Sequence, residues 1–481
     1  MEVKLSNGKT IPVEMHKVRI VQSTTLPPIR KRMQAIEAAG FNTFLLRTTD
    51  VFLDMLTDSG TNAMSDNQQA AMMVADDAYA GSQSFYRLAD AVKEIFGLKF
   101  IMPVHQGRAA EHLLAKTFVK PGDVVLMNYH FTTSKAHIDL MGGRVLEIFG
   151  SGALETDSKN PFKGNIDLAK FDGAVRKFGV EHIPYVRMEA TTNLIGGQPF
   201  SLENLKQVKA KASEFGIPLV LDASLISENA FLIHQREEEY KSASIAEIIL
   251  EMASLADIVY MSGRKSAGAR GGLIATNNKA LFDQILPWLP VYEGFATYGG
   301  MSTKEVEAMA VGLREMVDEN VAGCSAEFIS YFVRRLVEEG VPVVTPPGGL
   351  ACHLDAKRFL PHVPQAQYPA GALAAAVYLA SGVRGMERGT VSTDRDAEGN
   401  DVLSDMELVR LAIPRRVYTL SQIEYTVDRL KWLMGQREKI GGLHFVEEPP
   451  VLRFFFGRLG PIDEWANELV QAFEADFGEA F

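Results

Sequence analysis

The chain is 481 residues long, 47% hydrophobic, and carries a formal net charge of -11. That length can bury a large core and accommodate two domains, and the acidic balance excludes a protein that grips a nucleic-acid backbone through a basic field. No apolar leader opens the chain at Met1-Glu-Val-Lys-Leu-Ser6, no apolar run reaches the roughly eighteen residues of a membrane span, and the two cysteines, Cys324 and Cys352, suit a reduced chain; a cytoplasmic protein is expected.

In chain order, Pro27-Pro28 closes an irregular arm and Ile29 to Ala39 reads as a helix stopped at Gly40. Phe52 to Leu56 is a short strand candidate, followed by the polar loop Thr57 to Asp66, which suits either a helix cap or a binding loop. Helical patterns run from Gln68 to Ala78 and from Phe85 to Phe96. The strand Lys99–Val104 delivers His105-Gln-Gly-Arg108 to a helical pattern over 109–118. A strand, a glycine turn and a helix start form an anion site, because free backbone N–H groups and the positive helix end face the same point.

Strands at Val124–Met127, Gly143–Ile148, Ile183–Met188, Ile217–Leu221 and Ala256–Tyr260 alternate with helices at Leu168–Phe178 and Leu202–Phe215. Gly272–Ala275 reads as an antiparallel partner. This alternation predicts a mostly parallel sheet covered on both faces, with ligands beyond the strands' carboxyl ends. A long helical stretch over Thr303–Glu338 ends the regular pattern. Short strands at Val341–Thr345, Ala351–Asp355 and Leu408–Ile413, and helices at Ala370–Ser381, Ser421–Arg437 and Ile462–Phe481, then predict a smaller α+β domain. The expected division is an N-terminal arm and part of the small domain over 1–56, a large domain over 57–315 and a small domain over 316–481.

Asp222 ends one predicted strand, and Lys265 follows another in Ser262-Gly-Arg-Lys265. By position alone, Lys265 reads as a surface lysine and Asp222 as a strand cap. A pyridoxal phosphate site needs an amine for the aldehyde, an anion for the pyridine nitrogen, an aromatic face and a phosphate nest. The chain offers Lys265, Asp222, Phe131 and Gln106-Gly-Arg108 for these parts, with Ser262 as a further phosphate donor or a helix cap. Asn193 suits the ring 3'-oxygen or a turn. Arg410, inside an apolar strand, suits a substrate carboxylate or a solvated face. Arg384 and Arg388 form a second basic pair, which surface salt bridges with Glu387 would also explain.

Long strings carry a resemblance over about residues 20 to 460: Leu56-Thr-Asp-Ser-Gly-Thr-Asn-Ala-Met-Ser-Asp66, Ala78-Tyr-Ala-Gly-Ser82, His105-Gln-Gly-Arg108, Tyr292-Glu-Gly294, Tyr298-Gly-Gly300 and Ile413-Pro-Arg-Arg-Val-Tyr-Thr419. The chain resembles the aromatic amino-acid β-eliminating lyases, the family of tyrosine phenol-lyase and tryptophanase. Met386-Glu-Arg-Gly389, Phe454 and Phe131-Thr-Thr133 bring it nearer the phenol-lyase. The resemblance implies an α/β aspartate-aminotransferase-like fold (fold type I), with a mostly parallel seven-stranded large-domain sheet and a smaller α+β domain. It implies pyridoxal 5'-phosphate, a monovalent cation such as K+, and a homotetramer built from dimers.

By the same resemblance Lys265, Tyr79, Arg388 and Thr57 are catalytic. Gln106, Gly107, Arg108, Phe131, Asn193, Asp222, Ser262 and Lys265 hold the cofactor. Arg410, Thr57, Phe454, Phe295 and Asn193 bind substrate, and Gly60 and Asp77 lie at the cation. The implied reaction is β-elimination of L-tyrosine to phenol, pyruvate and ammonium. Alternatives are a divergent lyase or transferase for another amino acid, a tryptophanase releasing indole, and an inactive cofactor-binding scaffold. Departures from the family pattern cluster at one place: Arg264 for a lysine, Ser266 for an aspartate, Leu225 for an arginine and Asp77 for a glutamate.

Overall fold

The structure is a computed structural model and describes residues 1–396 and 398–478. Its centre is a seven-stranded sheet of β1 (Phe100–Val104), β2 (Val124–Met127), β3 (Arg144–Glu147), β4 (Val186–Glu189), β5 (Leu219–Asp222), β6 (Ile258–Ser262) and β7 (Gly272–Thr276). The order is β1-β7-β6-β5-β4-β2-β3. All neighbours are parallel except β7, which runs antiparallel to both β6 and β1. The expected mostly parallel sheet and its antiparallel partner are therefore present.

Side-chain alternation feeds two cores. On β5, Leu219 and Leu221 pack into one and Val220 into the other; on β6, Val259 and Met261 face one side, Ile258 and Tyr260 the opposite side. The helix Gly107–Phe118 covers the Val220 side through Ala110, Leu113 and Leu114.

A further core gathers residues 29–55 together with residues 328–473. It packs around β8 (Ala351–Asp355), β9 (Met386–Arg388) and β10 (Leu408–Ala412), in the order β8-β10-β9. Leu53–Asp54 pairs in parallel with Val383–Arg384, stitching the early chain to this region. Arg384 takes part in that stitching: it donates to both Asp54 carboxylate oxygens, at 2.9 and 2.5 Å.

Several expectations change. The stretch Thr303–Glu338 is two helices, Thr303–Glu315 and Glu319–Glu338, because Asp318 caps the second by accepting from the Asn320 and Val321 amides. The second helix serves two cores, with Ala322 and Ala326 in the sheet's core and Phe328 and Phe332 in the other. Val341–Thr345 forms no strand, only isolated bridges from Val343 to Leu354 and from Thr345 to Asp157. The helix expected over Gln68–Ala78 spans Asp66–Met73, and the last helix spans Trp465–Phe477; its expected end over residues 479–481 lies outside the described residues. Both cysteines are free. Among the described residues no helix is long and apolar enough to cross a membrane.

Glu387 is buried beside Arg388 on β9, and one of its oxygens has no partner. Burial, reinforced by the Glu407 carboxylate, pushes its pKa up to about 8. A carboxyl raised above its unfolded value favours the folded state only while it keeps its proton. Its contribution is full below the unfolded pKa and is lost as pH rises through about 8. Glu387→Gln is expected to remove a decline of a few kcal/mol between mildly acidic and alkaline pH, read from denaturant midpoints. An unchanged pH slope in the variant contradicts this.

Candidate active site

The carboxyl ends of β4, β5 and β6 open into a cavity of about 310 Å³, where an open parallel sheet binds its ligands. Lys265 enters from the turn after β6, with Nζ 5.3 Å from the centroid of the Phe131 ring. Asp222, at the end of β5, and Asn193, just beyond β4, line the same space.

The turn that carries Lys265 is fixed from behind. Asn62 Nδ2 donates to the carbonyls of Arg264 and Lys265, at 3.0 and 3.1 Å. Arg415 donates to the carbonyls of Lys265 and Ser266 and forms a buried ion pair with Glu228. The Ser266 hydroxyl completes the network, donating to Glu228 Oε2 at 2.8 Å. Ser266 thus ties the turn to the interior.

One end of the cavity is built for an anion. Gln106 starts the helix Gly107–Phe118 without capping it through its side chain; its carbonyl accepts from the Ala109 amide, and the positive helix end faces the cavity. A Cβ on Gly107 would stand 2.7 Å from Ser262 Cβ, so only glycine lets this turn meet the end of β6. Arg108, Ser262 and Arg264 line the same end. Burial, then the guanidinium groups of Arg270 and Arg108, push the Arg264 pKa down, which marks a concentrated positive field. A Cβ on Gly60 would strike the Arg264 guanidinium, so that glycine makes room for it.

Arg410 is buried at another wall. It donates to Asn193 Oδ1 and to the Leu56 carbonyl, each at 2.8 Å, while its Nε has no partner. Burial lowers its pKa to about 10. The nearby Asp58 carboxylate opposes that shift without bonding to the guanidinium, whose two acceptors are neutral oxygens, so the group can receive an anion. Phe44, Phe454 and Phe455 form an apolar end with Met386, and Thr57 borders the cavity too.

Five residues implied by the resemblance lie outside the cavity lining. Tyr79 is 72% exposed and stacks on Phe295 with centroids 5.8 Å apart; neither lines this chain's cavity. Arg388 is buried outside the cavity lining, donating to Tyr129 Oη at 2.8 Å and to Ser404 Oγ at 2.7 Å, with Asp405 Oδ1 at 3.3 Å. The Gly60 amide donates to the Arg264 carbonyl and the Asp77 carboxylate accepts from Thr303. Among the described residues no group of three or more His, Cys, Asp or Glu side chains could hold a metal.

Sequence reading missed Phe44, Phe455, Met386, Tyr129 and the pair Arg187 and Glu189. The aromatic wall comes from distant segments and leaves no local pattern. Arg187 and Glu189 do carry a signal: ionisable residues two apart on an inner strand of a parallel sheet are buried and need partners.

A profile described as Beta-eliminating lyase matches residues 54–429. The chain belongs to that family. It is 45% identical over 451 residues to the tyrosine phenol-lyase of Symbiobacterium sp. (strain SC-1), covering 93% of this chain and 98% of that one. It is 44% identical over 447 residues to the tyrosine phenol-lyase of Nostoc punctiforme, covering 92% and 96%. Two solved structures share the fold at low identity. The aromatic aminotransferase of Pyrococcus horikoshii OT3 has a TM-score of 0.56 at 13% identity, covering 85% of this chain and 99% of that chain. The serine palmitoyltransferase of Sphingomonas wittichii has a TM-score of 0.55 at 15% identity, covering 80% and 88%. The expected aminotransferase-like fold is thereby shown, and pyridoxal phosphate is the cofactor that the donor set and the family call for.

The network behind Lys265 yields a stability test. Arg415→Met leaves Glu228 buried without its ion partner, and a loss on the order of 3–5 kcal/mol is expected in denaturant unfolding. A loss below about 1 kcal/mol, the range of a surface pair, contradicts the central role given to this contact.

Proposed function

We propose that this lyase-family member is a pyridoxal-phosphate-dependent carbon–carbon lyase acting on an aromatic amino acid, with L-tyrosine cleaved to phenol, pyruvate and ammonium. One observation carries the reading: the Lys265 amine over Phe131 shares a cavity with Asp222, an anion-binding helix start and the under-partnered Arg410.

Bound pyridoxal phosphate supplies an electron sink for charge developing next to the amino group. Around it, Gln106, Gly107, Arg108 and Ser262 hold the phosphate and Phe131 covers a ring face. Asp222 pairs with the ring nitrogen, and Asn193 serves both the ring oxygen and Arg410. Arg410 grips the substrate carboxylate and so orients the α-hydrogen. The Lys265 amine accepts the α-proton as general base. Phe44, Phe454 and Phe455 exclude water from the aromatic side chain, with Thr57 near its polar end. The proposed assembly is a homotetramer. Tyr79 and Phe295, exposed outside this chain's cavity, reach a substrate only across a contact between copies. The cation proposed near Gly60 and Asp77 is potassium.

A second reading, another amino acid as substrate, draws on Arg388. Its terminal nitrogens are engaged by Tyr129, Ser404 and Asp405, so the guanidinium that the resemblance assigns to the substrate phenol is already occupied. Burial raises the Tyr129 pKa and keeps its hydroxyl a neutral donor, 2.5 Å from Asp405 Oδ2.

Phenol and pyruvate are expected in equal amounts from L-tyrosine and cofactor-loaded protein. Loaded protein that releases no phenol, while another amino acid is turned over to pyruvate, decides for the second reading.

A further inference from the structure

Behind Asp222 lies a buried ionic layer without a part in the proposed reaction. The strand register sets Glu189 of β4 opposite Asp222 of β5, and Asp222 opposite Tyr260 of β6. Arg187, two residues before Glu189, points to the same face. Glu111, from the helix Gly107–Phe118, meets the layer from across that face, within 3.3 Å of the Tyr260 hydroxyl.

Arg187 is fully enclosed, and each of its guanidinium nitrogens has a partner. Nη2 donates to Asp222 Oδ2 at 2.6 Å, Nε to Tyr260 Oη at 2.7 Å and Nη1 to Glu189 Oε2 at 3.3 Å. The Glu111 carboxylate stands 4.0 Å away. Distance decides how this single positive charge divides among three carboxyls: Asp222 holds the shortest contact. Burial raises the pKa of Glu189 and pushes that of Glu111 up to about 7, so these two take up protons readily.

Asp222 receives three donors. Arg187 and the Tyr260 hydroxyl, the latter at 2.9 Å, converge on Oδ2, and the Ser224 amide donates to Oδ1 at 3.0 Å. An ionised carboxylate accepts all of them; a carboxylic acid would have to spend one position donating. The distinction matters to a pyridine ring, because an anion opposite the ring nitrogen holds a proton there, whereas an acid donates its own proton to a neutral ring. Leu225, where the resemblance places an arginine, is buried among Leu350, Ala351 and Ala412. The Asp222 carboxylate takes its cation from Arg187 of β4.

We propose that Arg187 is a positioning residue: through its ion pair with Asp222, supported by the Tyr260 hydroxyl, it holds Asp222 as the anionic partner of the cofactor ring nitrogen and keeps that nitrogen protonated. This rests on the pyridoxal phosphate reading of the site. Arg187 touches neither cofactor nor substrate and acts through Asp222 alone.

The test loads wild type, Arg187→Met and Arg187→Lys with pyridoxal phosphate carrying an isotopically labelled ring nitrogen, and reads that nitrogen by magnetic resonance at neutral pH. The wild-type resonance is expected at the protonated position and that of Arg187→Met at the unprotonated one, with cofactor bound at least about tenfold more weakly. Arg187→Lys is expected in between, since an ammonium restores charge but not the fork. A ring nitrogen unmoved in Arg187→Met overturns the inference, as does one unprotonated in wild type. Should Arg187→Met not fold, Tyr260→Phe removes a donor from the same oxygen; a displaced resonance supports the inference and an unmoved one overturns it. Wild type that binds no cofactor overturns the cofactor reading and this inference together; wild type that binds it, with no response at Arg187, overturns this inference alone.

Discussion

The ion pair between Arg415 and Glu228 fixes the backbone that carries Lys265. Both side chains are enclosed, so neither charge can be hydrated, and each depends on the other. Because Arg415 also donates to the carbonyls of Lys265 and Ser266, the energy that holds the pair together also holds the turn. Asn62 adds a second clamp, accepting from the Arg415 amide while donating to two carbonyls of that turn. The role proposed for the Lys265 amine would need this rigidity, since misplacement by about an ångström is costly in rate. The residues that supply it come from three separate stretches, near 62, 228 and 415. The site therefore forms only when the sheet and the region around β10 have both folded.

Charge is arranged in layers across the cavity. Arg108, Arg264 and Arg270 gather at the helix start and suit a phosphate. Asp222, Glu189 and Glu111 gather below the ends of β4, β5 and β6, with Arg187 among them. Arg410 stands apart, buried, with neutral oxygens as its hydrogen-bond partners. On the proposed reading, a dipolar cofactor and an amino acid would supply the complement: phosphate to one cluster, a ring nitrogen to the other and a carboxylate to Arg410. Family membership and these fields lead to the same chemistry by independent routes.

Much of this was legible in the sequence, for physical reasons that differ by residue. Apolar runs ending in Asp222 and Ser262 mark strands buried on both faces, so their carboxyl ends, and Lys265 just beyond, could be located from pattern alone. The break at Asp318 was missed because a cap is a single polar residue. Glu189 fell outside a strand read as ending at Met188, although one more residue places its carboxyl against the site. Tyr129 and Asp405 were illegible as a pair, since nothing in either stretch announces that they meet at Arg388. Family strings named Arg388 as catalytic but could not show what holds it.

The central claim is that Lys265 is the residue that binds pyridoxal phosphate. The most direct measurement is borohydride reduction of the loaded protein, followed by mass spectrometry of its peptides. A single phosphopyridoxyl adduct on Lys265, absent from Lys265→Ala, is the predicted result. An adduct spread over surface lysines, or one that persists in Lys265→Ala, would contradict the account.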